Sequence, residues 1–275
     1  MNSDSWPPAG LDLNELQAAA RQVAKSIKPV LEIQEGSKRM KQVGSSFILR
    51  MGTRAALVTA AHTVSGPTTK VIALDKGSAT RWPGQYLVLE PLRAGIPDAD
   101  VAYSFGEVRA EADDLMGGIP LDRMAVNAVF PEGASFMAIG YPASKAEYTA
   151  ADQSLRNQLF FVSGHRAGDS AYAKHGLDLS VHLAVSYDPK SVRTMDGNLQ
   201  QGPKPAGMSG GVLFAPMTLV RGAETSIVFF VAGILVEQRG SPHNLLIATR
   251  IDCLLDELAP GRPEPDRTHA ARLTS

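Results

Sequence analysis

The sequence predicts an all-β protein made of two antiparallel units, with one helix near each end. Three observations carry this. Two successive series of short apolar runs are broken by Gly, Pro, Asn and Asp; the clearest run alternates with a period of two; and helical spacing of apolar residues occurs only near the termini.

Residues 1–10 are polar, with two prolines, and Leu13, Leu16, Ala20, Val23 and Ile27 then recur at spacings of three and four, one face of a helix over about 12–28. Asp12 followed by Glu15 forms a capping pair. The stripe is expected to pack on the body of the protein, and it is also the surface a regulatory protein would use. The first strand series covers Ser46 to Met51, Ala55 to Ala61, Lys70 to Leu74, Gln85 to Leu89 and Val101 to Phe105. Gly106 to Leu121 is charged, Gly-rich and without periodicity, and predicts a linker with a boundary near residue 120. The second series covers Phe136 to Ile139, Gln158 to Ser163, Leu177 to Tyr187, Ile227 to Val236 and Asn244 to Thr249. In Leu177 to Val185 apolar residues alternate with Asp178, Ser180, His182 and Ala184, which puts His182 on an outer polar face. Ile251, Leu254, Leu255 and Leu258 predict a short closing helix, stopped by Pro260, and residues 260–275 read as a disordered tail. The resulting division is 1–42 as a helical extension, 43–120 and 121–259 as the two β units, and 260–275 as the tail.

Composition excludes several function classes. At 44% apolar and 20% charged residues the chain has the balance of an ordinary globular protein. Lys and Arg number 27 against 28 Asp and Glu, so charge names neither nucleic acid nor an anionic membrane as a partner. Cys253, the single cysteine, permits no intrachain disulfide and fits a reducing compartment; on the apolar side of the closing helix it reads as core. The start of the chain has no basic stretch followed by an apolar one, and no run approaches the ~18 residues that span a bilayer. The expectation is a cytoplasmic protein that contacts no membrane. His165, His175 and His182 lack Cys or acidic partners at ligand spacing, and no Gly-x-Gly-x-x-Gly or Walker-type loop occurs, so no metal or cofactor is expected.

Gly207-Met208-Ser209-Gly210-Gly211 is the most informative stretch. A serine hydroxyl is a poor nucleophile unless a base takes its proton and donors meet the charge that develops on the substrate carbonyl. The flanking glycines allow a turn tight enough to aim the Gly207 and Ser209 amides at one spot, although a plain glycine-rich turn has the same composition. The base would be one of His62, His165, His175, His182, His243 and His269. Only His62 has a distinctive setting, at the end of the run Leu57-Val58-Thr59-Ala60-Ala61. The carboxylate that orients an imidazole is Asp100, which precedes Val101-Ala102-Tyr103, or its rival Asp98.

Together these stretches resemble the trypsin-like (chymotrypsin-like) serine protease family. Leu57 to His62 is similar to its Thr-Ala-Ala-His box, Asp100 to Ala102 to its Asp-x-Ala box, and Gly207 to Gly211 to its Gly-x-Ser-Gly-Gly box, in the family's order. Phe136 to Pro142, Val231 to Ile234 and Ile247 to Arg250 are lesser echoes, so the resemblance spans about 43–258. It implies two six-stranded antiparallel β-barrels with a site between them. Ser209 would be the nucleophile, His62 the general base and acid, Asp100 the orienting carboxylate, the Gly207 and Ser209 amides the oxyanion hole, and a protein or peptide the substrate. Asp98, followed by Ala99-Asp100, drops to second choice.

Two departures matter. Met208 stands where secreted digestive members carry the Asp that pairs with a new amino terminus after activation, and those members hold disulfides that this chain cannot form. The resemblance is therefore to the intracellular bacterial branch, with a switch of another kind. In the implied substrate pocket, Pro203 replaces the acidic floor of trypsins and Leu246 stands where a small residue often opens the pocket. Val236, Glu237 and Gln238 would form the wall. Small or apolar residues are the expected preference, with Glu237 keeping a basic one open. Two rivals stand beside this reading. An α/β-hydrolase esterase shares the Gly-x-Ser-x-Gly elbow, but Gly202 to Ala206 cannot be a central strand and Pro216 stops a following helix. A non-catalytic or partner-activated binding module would keep the protease fold without its activity.

Overall fold

The N-terminal apolar stripe folds as α1 (Leu13–Ala24), ending earlier than the spacing predicts. The Ser26 amide bonds the Val23 carbonyl, and the chain straightens into β1 (Ile27–Ile33). The computed structural model describes residues 13–33, 40–52, 54–65, 70–73, 79–80, 87–88, 99–107, 117–149, 154–190, 192–193, 199–202, 204–221, 224–240 and 244–258. Asp12, Asp98, Pro203, His243, His269 and the tail 260–275 lie outside them.

The first unit continues through β2 (Met40–Met51), β3 (Arg54–Ala60), the one-turn helix α2 (Ala61–Val64), β4 (Lys70–Ala73), β5 (Ala79–Thr80), β6 (Leu87–Val88) and β7 (Val101–Glu107). These strands form a sheet in the order β5-β4-β1-β2-β3-β7-β6, and β8 (Ile119–Pro120) joins it alongside β2 in parallel. The expected linker thus begins in strand at Gly106 and Glu107 and contains strand again at Ile119 and Pro120. The antiparallel pairs β1/β2, β2/β3 and β3/β7 form its centre.

A 3-10 turn, Leu121–Arg123, leads into the second unit. It contains β9 (Ser135–Gly140), β10 (Glu147–Thr149), β11 (Ser154–Arg156), β12 (Phe160–Arg166), α3 (Asp169–His175), β13 (His182–Ser186), β14 (Val192–Arg193), β15 (Leu199–Gln200), β16 (Val212–Arg221), β17 (Glu224–Arg239), β18 (Leu245–Arg250) and α4 (Ile251–Leu258). Six strands close a barrel in the order β12-β13-β18-β17-β16-β9, and β10/β11 and β14/β15 are separate hairpins.

The alternating run from Leu177 is strand only from His182. Before it the Asp178 carboxylate accepts from the Ser180 amide and hydroxyl, a local turn that competes with ladder pairing. Leu179 is consequently 45% exposed and His182 buried, the reverse of the alternation expected. His182 sits at the strand start with its Nδ1 accepting from the Asp178 amide.

The two units share one core. A single apolar cluster joins Phe47, Val58 and Val101 of the first sheet to Ile139, Val212 and Ile234 of the barrel, with Ala20 of α1 and Leu254 of α4. Ala20 and Val23 of the α1 stripe are therefore turned inward. A second cluster, including Phe136, Leu213 and Leu246, fills the barrel. Among the described residues no helix is long and apolar enough to cross a membrane.

Candidate active site

The buried end of β3 delivers Thr59 and Ala60 to the edge of the first sheet, where the chain turns into α2 and presents His62. Asp100 stands directly across. Ala60 pairs with Val101 as the last rung of the β3/β7 ladder, and the Asp100 carbonyl then accepts from the Ala61 amide at 2.9 Å. The Asp100 carboxylate binds His62 twice. Oδ1 accepts the His62 amide at 3.0 Å, and Oδ2 lies 2.6 Å from Nδ1. To do so Asp100 takes a φ of +42°, a left-handed conformation that Asp tolerates better than most residues. Its neighbour Ala99 is anchored from the second unit, because the Thr249 hydroxyl donates to the Ala99 carbonyl.

The His62 side chain is 49% exposed and Asp100 26%, so the pair opens on solvent. The hydrogen bond to Asp100 raises the His62 pKa above the usual histidine value. Partial burial opposes this, and the charges of Asp100 and Glu237 reinforce it.

The Ser209 loop is fixed from both units. The Met208 amide donates to Pro205 O at 2.8 Å, the Gly211 amide to Met208 O at 2.8 Å, and the Gly210 amide to Leu235 O of β17 at 2.6 Å. From the first unit, the Ser45 amide of β2 donates to Ser209 O at 2.7 Å. The Ser45 hydroxyl donates to Gly207 O at 2.9 Å and accepts from the Tyr141 amide at 2.8 Å. Two glycines are obligatory here. Gly207 has φ +93°, and a Cβ would meet Ala143 N at 2.4 Å; Gly210 has φ +84°, and a Cβ would meet Ser45 O at 2.0 Å and Thr59 Oγ1 at 2.2 Å. Gly210 thus packs against Thr59 and Ala60, two residues before His62, while Thr59 itself donates to Ser45 O at 2.7 Å.

Within this loop, the Met208 and Gly211 amides bond the loop itself and the Gly210 amide bonds β17. Among the described residues the Gly207 and Ser209 amides donate to no protein acceptor. The Ser209 hydroxyl points to the Val236 carbonyl at 3.4 Å, and no hydrogen bond joins it to His62.

Of the residues assigned to the pocket, Val236 is buried at the serine, and Leu246 is 3% exposed within the barrel core, opposite Gln238 and Val185. The Glu237 side chain is 49% exposed and held by Arg239 through two 3.0 Å bonds, Nε to Oε1 and Nη2 to Oε2; Arg239 Nη1 also donates to His175 O at 2.7 Å. Sequence reasoning missed Ser45, Thr249 and Arg239. The only sequence trace of Ser45 is the small polar run Gly44-Ser45-Ser46 opening an apolar strand. Cys253 is buried, and burial pushes its thiol up to about 11. Among the described residues no three His, Cys, Asp or Glu side chains gather to hold a metal ion.

No family model matches the chain, and no curated protein does. Solved structures do. The inactivated protease paralogue S-I1 of the scabies mite superposes with a TM-score of 0.50 at 16% identity, over 90% of this chain and 95% of that one. Neuropsin, a serine protease of mouse brain, superposes with a TM-score of 0.52 at 13% identity, over 86% of this chain and 94% of that one. The fold is that of the trypsin-like serine proteases, the chymotrypsin-like fold that the sequence boxes imply.

Proposed function

We propose that this chain is a serine endopeptidase that cleaves protein or peptide substrates through an acyl-enzyme. The observation that carries the reading is the double hold of Asp100 on His62, which fixes the ring by Nδ1 and leaves Nε2 without a partner among the described residues. The Ser209 hydroxyl turns from the Val236 carbonyl to His62 Nε2, and its oxygen attacks the scissile carbonyl carbon as Nε2 takes the proton. The oxyanion forms beside the Gly207 and Ser209 amides, whose hydrogens are otherwise unspent. The carbon–nitrogen bond then breaks, the leaving amine takes the proton from His62, and water repeats the sequence on the acyl-serine. Asp100 holds the imidazolium that forms and stabilises its charge.

A second reading has its own support. The Ser209 hydroxyl bonds Val236 rather than His62, and one protein of the same fold is an inactivated paralogue, so a binding module or a partner-activated protease retains this geometry. Labelling with a fluorophosphonate probe separates the two. An endopeptidase is labelled in the wild type, and the label disappears in Ser209→Ala and slows sharply in His62→Ala. A wild type that stays unlabelled, or a label that survives Ser209→Ala, overturns the enzyme reading.

A further inference from the structure

A cavity of about 370 Å³ lies where α1, the first sheet and β17 meet, and it shares no residue with the His62, Asp100 and Ser209 cluster. On β17 it takes Ile227, Val228 and Phe229, and the candidate active site takes Val236 and Glu237. Six residues of β17, from Phe230 to Leu235, lie between them.

Three cations line it: Lys25, Arg50 and Arg123. Among the described residues no carboxylate lines it, and none of the three side chains has a hydrogen-bond or ion-pair partner. Their positions are built by the fold. Lys25 sits on the turn between α1 and β1, which is pinned when the Ser26 hydroxyl donates to Gly117 O and the Ile48 amide to Ser26 O at 2.9 Å. Gly117 and Gly118 run between the stems of two of the cations. A Cβ on Gly117 would lie 3.6 Å from Lys25 Cβ, and one on Gly118 would lie 3.2 Å from Arg50 Cβ. Arg50 pairs with Pro120 in the β2/β8 ladder, and Arg123 closes the 3-10 turn that follows. The remaining wall is largely apolar, with Val23, Ile119 and Phe229.

Like charges gathered in one concavity raise each other's energy, and a solvated surface face normally intersperses the opposite sign. Two guanidinium forks and an ammonium around one space match an oxyanion with several acceptor atoms. The volume falls in the range of small-molecule sites, and the apolar wall suits the body of an organic ligand. We propose that this cavity is a binding site for a small organic anion that carries a phosphate or carboxylate head on an apolar body. The site is independent of the peptidase reading, because occupancy is measured by binding and not by hydrolysis.

Titration calorimetry of the full chain at low ionic strength, with phenyl phosphate, phenylacetate and inorganic phosphate, tests it. Phenyl phosphate or phenylacetate binds saturably at one site, and the tighter of the two identifies the head group. Arg50→Gln and Arg123→Gln each weaken that ligand about tenfold or more, and Arg50→Lys, which keeps the charge without the fork, falls between. Lys190→Gln, at an exposed lysine away from the cavity, changes nothing. Circular dichroism and an unchanged melting temperature show that each variant is folded. The proposal is overturned by the absence of saturable binding, by equal affinity for inorganic phosphate and both organic anions, or by weakening in Lys190→Gln equal to that in the arginine variants.

Discussion

Asp100 holds His62 at two atoms, the ring Nδ1 at 2.6 Å and the main-chain amide at 3.0 Å, so one carboxylate sets both the position and the tautomer of the imidazole. Asp100→Asn keeps the shape but offers Nδ1 an amide in place of an anion. Turnover of a peptide substrate, or the rate of fluorophosphonate labelling, is expected to fall on the order of 10³- to 10⁴-fold with little loss of stability. A fall of less than tenfold would remove Asp100 from the proposed mechanism.

The raised His62 pKa has opposite consequences for activity and for folding. The contribution of the pair to stability is complete below the unfolded value of about 6.5 and is lost as pH rises through the higher folded value. The proposed activity needs the neutral ring and rises through that same folded value. The labelling rate therefore climbs with a midpoint above about 6.5. Glu237→Gln moves the midpoint down, and Asp100→Asn moves it further, because the Asp100 hydrogen bond is the larger cause. An unmoved midpoint in both variants contradicts this assignment.

Gly210→Ala puts a methyl group 2.0 Å from the Ser45 carbonyl oxygen at a φ that favours glycine. Neither the β2 backbone nor the serine loop can yield cheaply. A loss on the order of 3 kcal/mol or more is expected, with a drop in melting temperature of roughly 10 °C. Thermal unfolding followed by circular dichroism reads it directly, and a melting temperature within about 2 °C of wild type would show that the loop is not pinned to β2.

Phe214 is fully buried where the two units share their core, edge to face with Phe229 at 5.7 Å. Phe214→Ala should cost about 3 to 5 kcal/mol and Phe214→Leu markedly less, as read from denaturant midpoints. Equal effects of the two substitutions would show that packing volume does not govern this position.

The buried Cys253 thiol, raised to about 11 chiefly by burial, should resist a neutral disulfide reagent at pH 8 and react at once in guanidinium chloride. Fast reaction in the native protein contradicts the burial of α4.

Several elements were legible because local pattern and tertiary outcome agree. Val101 to Phe105 and Ile227 to Val236 are apolar and β-branched runs, and they became β7 and β17. Three were obscured by a competing local signal. Ile27 continues the helical spacing of α1 but opens β1, because the bond from Ser26 to Val23 ends the helix and Pro29 favours extended backbone. β16 was hidden by Pro216, which pairs opposite Phe229 of β17 but lies beyond Phe214, the last β16 residue paired with β9, so the β9 side makes no ladder at that position. The alternation after Leu177 imitates a strand that the Asp178 turn prevents. In the site, His62 and Asp100 were legible from their flanking runs, and the structure brings them together; Ser209 was legible from its glycines. Ser45 and Thr249 were not, because each acts through a partner far along the chain, Gly207 for Ser45 and Ala99 for Thr249, and Arg239 was not because its hold on Glu237 is set by a further bond to the distant His175 carbonyl.

The bond from Thr249 to Ala99 crosses 150 residues of sequence. The left-handed bend at Asp100 and its hold on His62 are thus braced by β18, a strand made long after the first sheet. A nascent chain that has only just exposed its first sheet lacks both that brace and the Ser209 loop. The pieces of the site therefore come together only once β18 has followed the Ser209 loop out of the ribosome.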